Sequence, residues 1–115
     1  MRLRDKTVLK KICSEIDVAT EILGNTSMED FLTNETVKRA VAMTTINVGE
    51  LVKSLTPELK DANNHVEWKK AAALRNVAAH KYESLKMDLV YVVVIRDFPE
   101  LKMQIEKILE ADVEE

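Results

Sequence analysis

Leu89-Val90-Tyr91-Val92-Val93-Val94-Ile95 is the stretch of this chain that argues for a β-strand, and its reading decides the fold class. Five of its seven residues are β-branched, which suits a pleated, buried surface. A strand must nevertheless pair its backbone N–H and C=O groups with another strand. No other part of the sequence looks like one. The segment from Met87 to Phe98 is therefore read as a buried helix, ended by Pro99, which also opens the last helix.

Working outward, the rest of the chain carries helical periodicity. Beyond Pro99, Leu101, Ile105, Ile108 and Leu109 form one apolar face. At the other end, Val8, Leu9, Ile12, Ile16, Ala19, Ile22 and Leu23 recur every three or four positions, so a helix is expected from Asp5, as its N-cap, to Leu23 before Gly24-Asn25. Ser27-Met28-Glu29-Asp30 has capping-box spacing and should start a short helical turn that carries Phe31 and Leu32 inward. Asn34 caps a second long helix to about Leu55, with Val37, Ala40, Val41, Thr44, Val48, Leu51, Val52 and Leu55 on its buried side. Gly49 lies inside it, where glycine costs roughly 1 kcal/mol against alanine; close approach of another backbone or of a ligand is one explanation, tolerance the other. Its neighbour Glu50 could face the same cleft or merely solvent, and solvent is the favoured reading. Thr56-Pro57-Glu58 is a further helix start, Asp61 to Asn64 reads as a loop, and a third long helix runs from about Val66 through Ala79. Trp68 at its start suits a core anchor or a dimer contact.

The expected architecture is an all-α, antiparallel bundle of four to five helices forming one domain over residues 1–115. Only two glycines and two prolines punctuate the chain, too few for the turns of a β protein. The net charge of -3 excludes a wholesale phosphate magnet, although four acids fall in the last six residues and the remainder carries 17 bases against 16 acids. The lone Cys13 cannot form an internal disulfide and has the setting of a core position rather than a reactive thiol. No apolar run approaches the ~18 residues of a membrane span, and no signal peptide is visible, so a cytoplasmic protein is expected.

The side chains able to do chemistry are concentrated in Leu74-Arg75-Asn76-Val77-Ala78-Ala79-His80-Lys81-Tyr82. At about 100° per residue, with Arg75 at zero, Tyr82 falls near -20°, Asn76 near 100° and His80 near 140°, while Leu74, Val77 and Ala78 take the opposite arc. Arg75 and His80 are about 7.5 Å apart along an ideal axis and not on one stripe. Two copies packed about a two-fold axis would bring arginines and histidines into one cleft, which makes a homodimer through the motif helix useful. Histidine can move a proton to or from an RNA 2′-hydroxyl near neutral pH, arginine can stabilise charge on the phosphorus, and Asn76 could orient the imidazole or bind a phosphate oxygen. Metal catalysis has less support, since His65 and His80 lack ligand spacing and no carboxylate cluster accompanies either. A plain structural reading, with exposed arginine and packed tyrosine, competes with all of this.

Arg75-Asn76-Val77-Ala78-Ala79-His80-Lys81-Tyr82 resembles the R-x4-H-x-Y motif of the HEPN superfamily, and within it of the HepT-like toxins. Trp68, the Gly49-Glu50 helix and Asp97-Phe98-Pro99-Glu100-Leu101-Lys102 also look like that family's pattern. The resemblance implies an all-helical homodimer with metal-independent endoribonuclease activity and no cofactor, in which Arg75 and His80 are catalytic and Asn76 supports them. It also implies a partner, an MNT-type nucleotidyltransferase antitoxin that transfers AMP to the motif tyrosine, here Tyr82. Lys81 departs from an acidic residue common in relatives, and Glu83-Ser84 replaces an aromatic and a glycine, so substrate preference is expected to differ. A non-catalytic nucleotide-binding or partner-binding companion of a nucleotidyltransferase remains the alternative.

Overall fold

The computed structural model describes residues 1–83 and 86–112, with the backbone alone at 81–83. The Tyr82 side chain, the departure at Glu83-Ser84 and the end of the acidic tail lie outside the described residues. Among the described residues there is no strand, and none of the helices is long and apolar enough to cross a membrane.

Four long helices build the bundle: α1 (Leu3–Leu23), α3 (Glu35–Lys53), α5 (Trp68–Glu83) and α7 (Phe98–Ala111). Three short ones, α2 (Met28–Thr33), α4 (Pro57–Ala62) and α6 (Asp88–Val92), turn the chain between them. Helix α1 packs on α3 and α7, and α3 packs in turn on α5. The contacts of α1 show its antiparallel setting: Asp5 meets Thr56 just past α3, while Asp17 pairs with Lys102 of α7 at 2.6 Å. The core runs through Leu9, Ile12 and Ile16 of α1, Val41, Val48 and Val52 of α3, Leu74 and Ala78 of α5, and Phe98 and Ile105 of α7.

Three of the four expected N-caps form. Ser27 Oγ accepts from the Asp30 N–H at 3.1 Å, Asn34 Oδ1 from Val37 N–H at 3.0 Å, and Thr56 Oγ1 from Leu59 N–H at 3.3 Å. Gly24 ends α1 with φ +52°, a conformation that L side chains rarely adopt. Buried Thr44 and Thr45 return their hydroxyls to the Val41 carbonyl, so α3 carries polar side chains inward without leaving a donor unmet. Trp68 is buried, and its Nε1–H donates to the Asn63 carbonyl at 3.0 Å, which makes it the core anchor of α5. Cys13 is half-buried, and burial pushes its thiol up to about 11, as expected of an inert position.

Four expectations are corrected. Asp5 is not the cap of α1, which begins two residues earlier at Leu3. It is buried, and its carboxylate accepts from the Thr56 N–H at 3.0 Å and the Thr56 hydroxyl at 2.6 Å, tying the first turn of α1 to the start of α4. Replacing it by alanine should cost ~1–3 kcal/mol, because a buried donor loses its partner; the urea unfolding midpoint reads this directly. Leu32 points outward, since a six-residue helix buries one face and Phe31 occupies it. Glu50, for which solvent is favoured over the cleft, is exposed but also has a partner, given below.

The fourth concerns the deciding stretch. It is helical, but only Val90, Val93 and Val94 are buried, while Leu89 and Ile95 are exposed. Pro99 does not end it: α6 runs through a π-helical turn, Val93–Asp97, directly into α7. The Phe98 N–H reaches back five residues to the Val93 carbonyl. In a regular α-helix the Pro99 ring would strike the Ile95 carbonyl, and the widened turn relieves that clash. Tyr91 holds the segment in place, donating its hydroxyl to the Thr26 carbonyl at 2.7 Å while its ring packs 5.3 Å from that of Phe31.

Candidate active site

Helix α5 is rich in alanine, with Ala71, Ala72, Ala73, Ala78 and Ala79 along its length. Small side chains allow a neighbour to come close, and α3 does so at Gly49. A Cβ placed on Gly49 would lie 2.5 Å from Arg75 N, 2.9 Å from Arg75 Cβ and 3.0 Å from Ala72 O. Of the two explanations the sequence offers for this glycine, close approach of another backbone is the one observed.

That contact places the root of Arg75 against α3 and leaves its head outside. Arg75, Asn76, Ala79 and His80 are all exposed, opposite the buried Ala71, Leu74 and Ala78. The helical wheel is thus realised: the polar members share the outward side of α5, although Arg75 and His80 diverge around its axis.

The structure adds a residue that the sequence reading left in solvent. Glu50, directly after the close-approach glycine, brings Oε1 to 2.6 Å from Arg75 Nε. The two side chains are 51% and 47% exposed. An ion pair this exposed contributes roughly 0–1 kcal/mol to stability, so its effect is on where the guanidinium points rather than on whether the fold holds. The contact is at Nε, and the two terminal amino groups carry the other four of the five guanidinium N–H donors. A signal for it was present in the sequence, since a residue beside a glycine at a helix crossing sits at the edge of the contact. What the one-dimensional pattern lacked was the identity of the opposite helix.

Beside Glu50, between α1 and α3, a groove of about 450 Å³ is lined by Lys11, Ser14, Glu15, Asn47, Glu50 and Leu51. Asn47 Nδ2 donates to Glu15 Oε1 at 3.0 Å there. The lining carries one cation, Lys11, against two carboxylates, Glu15 and Glu50. A cleft of about 290 Å³ between α5 and α7 contains none of Arg75, Asn76 and His80 and lies apart from this chemistry. Among the described residues no group of three or more histidines, cysteines or carboxylates is placed to hold a metal ion.

A bundle of four long helices that presents an arginine, an amide and a histidine on the open face of one of them defines a class of small all-helical proteins with a polar motif face. The chain belongs to the HepT-like ribonuclease family, whose model, described as Ribonuclease HepT-like, matches residues 12–108. Among its relatives, a Methanocaldococcus jannaschii protein named "Gamma-glutamylcyclotransferase and putative RNase" is 33% identical over 110 residues, covering 96% of this chain and 50% of the relative. A Caldanaerobacter subterraneus protein named "Putative RNase" is 28% identical over 104 residues, covering 90% and 93%. A Thermococcus cleftensis protein named "Probable ribonuclease HepT" is 26% identical over 108 residues, covering 94% and 98%. The chain therefore spans half the length of the first relative and nearly all of the other two. No solved structure matches it.

Proposed function

We propose that this chain is the toxin of a HEPN/MNT toxin–antitoxin pair, a metal-independent endoribonuclease acting as a homodimer. The observation that carries the reading is the joint exposure of Arg75, Asn76 and His80 on the outward side of α5, at the spacing of the family's motif. Such a face is open both to RNA and to a second copy of the same helix. His80 takes the proton of an RNA 2′-hydroxyl as its oxygen attacks phosphorus, and the bond to the 5′-oxygen breaks. The leaving oxygen receives a proton from an imidazolium, which two copies can supply from opposite sides. Arg75 neutralises charge that grows on the phosphoryl oxygens, and Asn76 orients the ring or binds one of those oxygens. Incubation of the purified chain with RNA in excess chelator tests this; cleavage that appears only on adding a divalent metal would refute it.

Regulation belongs to the same reading. An MNT-type nucleotidyltransferase partner transfers AMP from ATP to the Tyr82 hydroxyl, placing phosphate charge at the mouth of the RNA site, where it repels the substrate. Tyr82→Phe is expected to cleave RNA like the wild type yet take up no label from radioactive ATP when mixed with that partner. Labelling that persists in Tyr82→Phe would move the acceptor elsewhere.

One observation favours a second reading. Glu50 already neutralises Arg75, as suits a non-catalytic companion that holds a nucleotide or its partner enzyme at this face. That reading expects nucleotide binding without RNA cleavage, indifferent to His80→Ala.

A further inference from the structure

We infer that Glu50 is a positioning residue of the Arg75 site, holding the guanidinium through Nε so that its terminal amino groups are already arranged for a phosphate before RNA arrives. This rests on the ribonuclease reading given above. Two observations on two helices support it. Glu50 Oε1 lies 2.6 Å from Arg75 Nε, and Gly49 seats the Arg75 Cβ against α3. The root and the first nitrogen of the side chain are thus both fixed from the same helix, while the far end is not part of either contact. A long arginine otherwise samples many rotamers, and a planar fork held in place loses less freedom when it closes on a phosphate.

Charge alone predicts the opposite behaviour. Glu50 is an anion beside a site for a polyanion, so its removal would by itself strengthen RNA binding. The two effects separate in the kinetics. Loss of positioning lowers kcat, because the arginine reaches the transition-state geometry less often; loss of repulsion lowers KM. A residue that acted only on the fold would move the unfolding midpoint instead.

The test is a four-way comparison of wild type, Glu50→Gln, Arg75→Ala and the double variant, each measured for RNA cleavage and thermal unfolding. Glu50→Gln is expected to lower kcat roughly 10- to 100-fold, the scale of a misplaced catalytic group, with KM unchanged or lower and Tm unchanged. In the Arg75→Ala background the same substitution should change the rate less than twofold, because there is no guanidinium left to hold. Unaltered kcat in Glu50→Gln, or an equal loss with and without Arg75, overturns the inference while leaving the ribonuclease reading intact. A wild type that cleaves no RNA overturns that reading, and this inference with it.

Discussion

His80→Ala is expected to abolish the proposed metal-independent RNA cleavage while leaving the protein folded. A positioned general acid or base contributes ~10²–10⁴ in rate, which sets the scale of the expected loss. The structure makes the experiment clean. His80 is exposed near the C-terminal end of α5, outside the apolar cluster, and alanine is the best helix former. Circular dichroism and the unfolding midpoint should therefore match the wild type, so that a lost rate is a statement about chemistry. Induced expression of both forms in cells gives a second measurement: growth arrest and RNA breakdown with the wild type and neither with the variant. Equal cleavage by the two proteins in chelator would remove His80 from the reaction and leave Arg75 without its partner group.

Gly49→Ala is expected to destabilise the bundle by ~1–3 kcal/mol, the range for forcing extra volume into a packed contact. Alanine gains about 1 kcal/mol of helix propensity over glycine, which offsets part of this cost. The balance is decided by what the new methyl meets. Arg75 N at 2.5 Å and Ala72 O at 3.0 Å are backbone atoms of α5, not the yielding end of a side chain, so the two helices must part. The Arg75 nitrogen is roughly 1 Å short of ordinary contact, and if Arg75 acts as proposed above, a shift of that size can cost 10²-fold in rate. The substitution should thus lower the urea midpoint and RNA cleavage together, whereas His80→Ala lowers cleavage alone. A Gly49→Ala protein as stable and active as the wild type would mean that the crossing is looser than its geometry indicates.

These two positions show how far each kind of information reaches. His80, Arg75 and Asn76 were legible as a group because they belong to one helix. Spacing along one helix is set by 3.6 residues per turn wherever that helix is placed. The caps at Ser27, Asn34 and Thr56 were legible for the same reason, each closing a bond with a residue three positions on. Gly49 was half-legible: its cost in a helix marks it as purposeful, but nothing local names the neighbour that comes close.

What escaped the sequence was every contact whose two halves are far apart along the chain. Asp5 has the chemistry of an N-cap and sits where one would be useful, yet its partner is Thr56, brought to it by the antiparallel pairing of α1 with α3. Glu50 looks like a solvent-facing carboxylate until α5 is laid against α3. At Pro99 the sequence announces a break, but Val94 and Phe98 before it and Leu101 and Ile105 after it are buried, and burial keeps the helix continuous at the expense of one widened turn. By itself, then, the sequence determined the all-helical class, the capped helix starts at Ser27, Asn34 and Thr56 and the face that carries the candidate chemistry, since periodicity and capping act within a few residues. Only the tertiary structure decided which carboxylate meets Arg75, where Asp5 is spent and how the chain passes Pro99, because those outcomes depend on which helix faces which across the bundle.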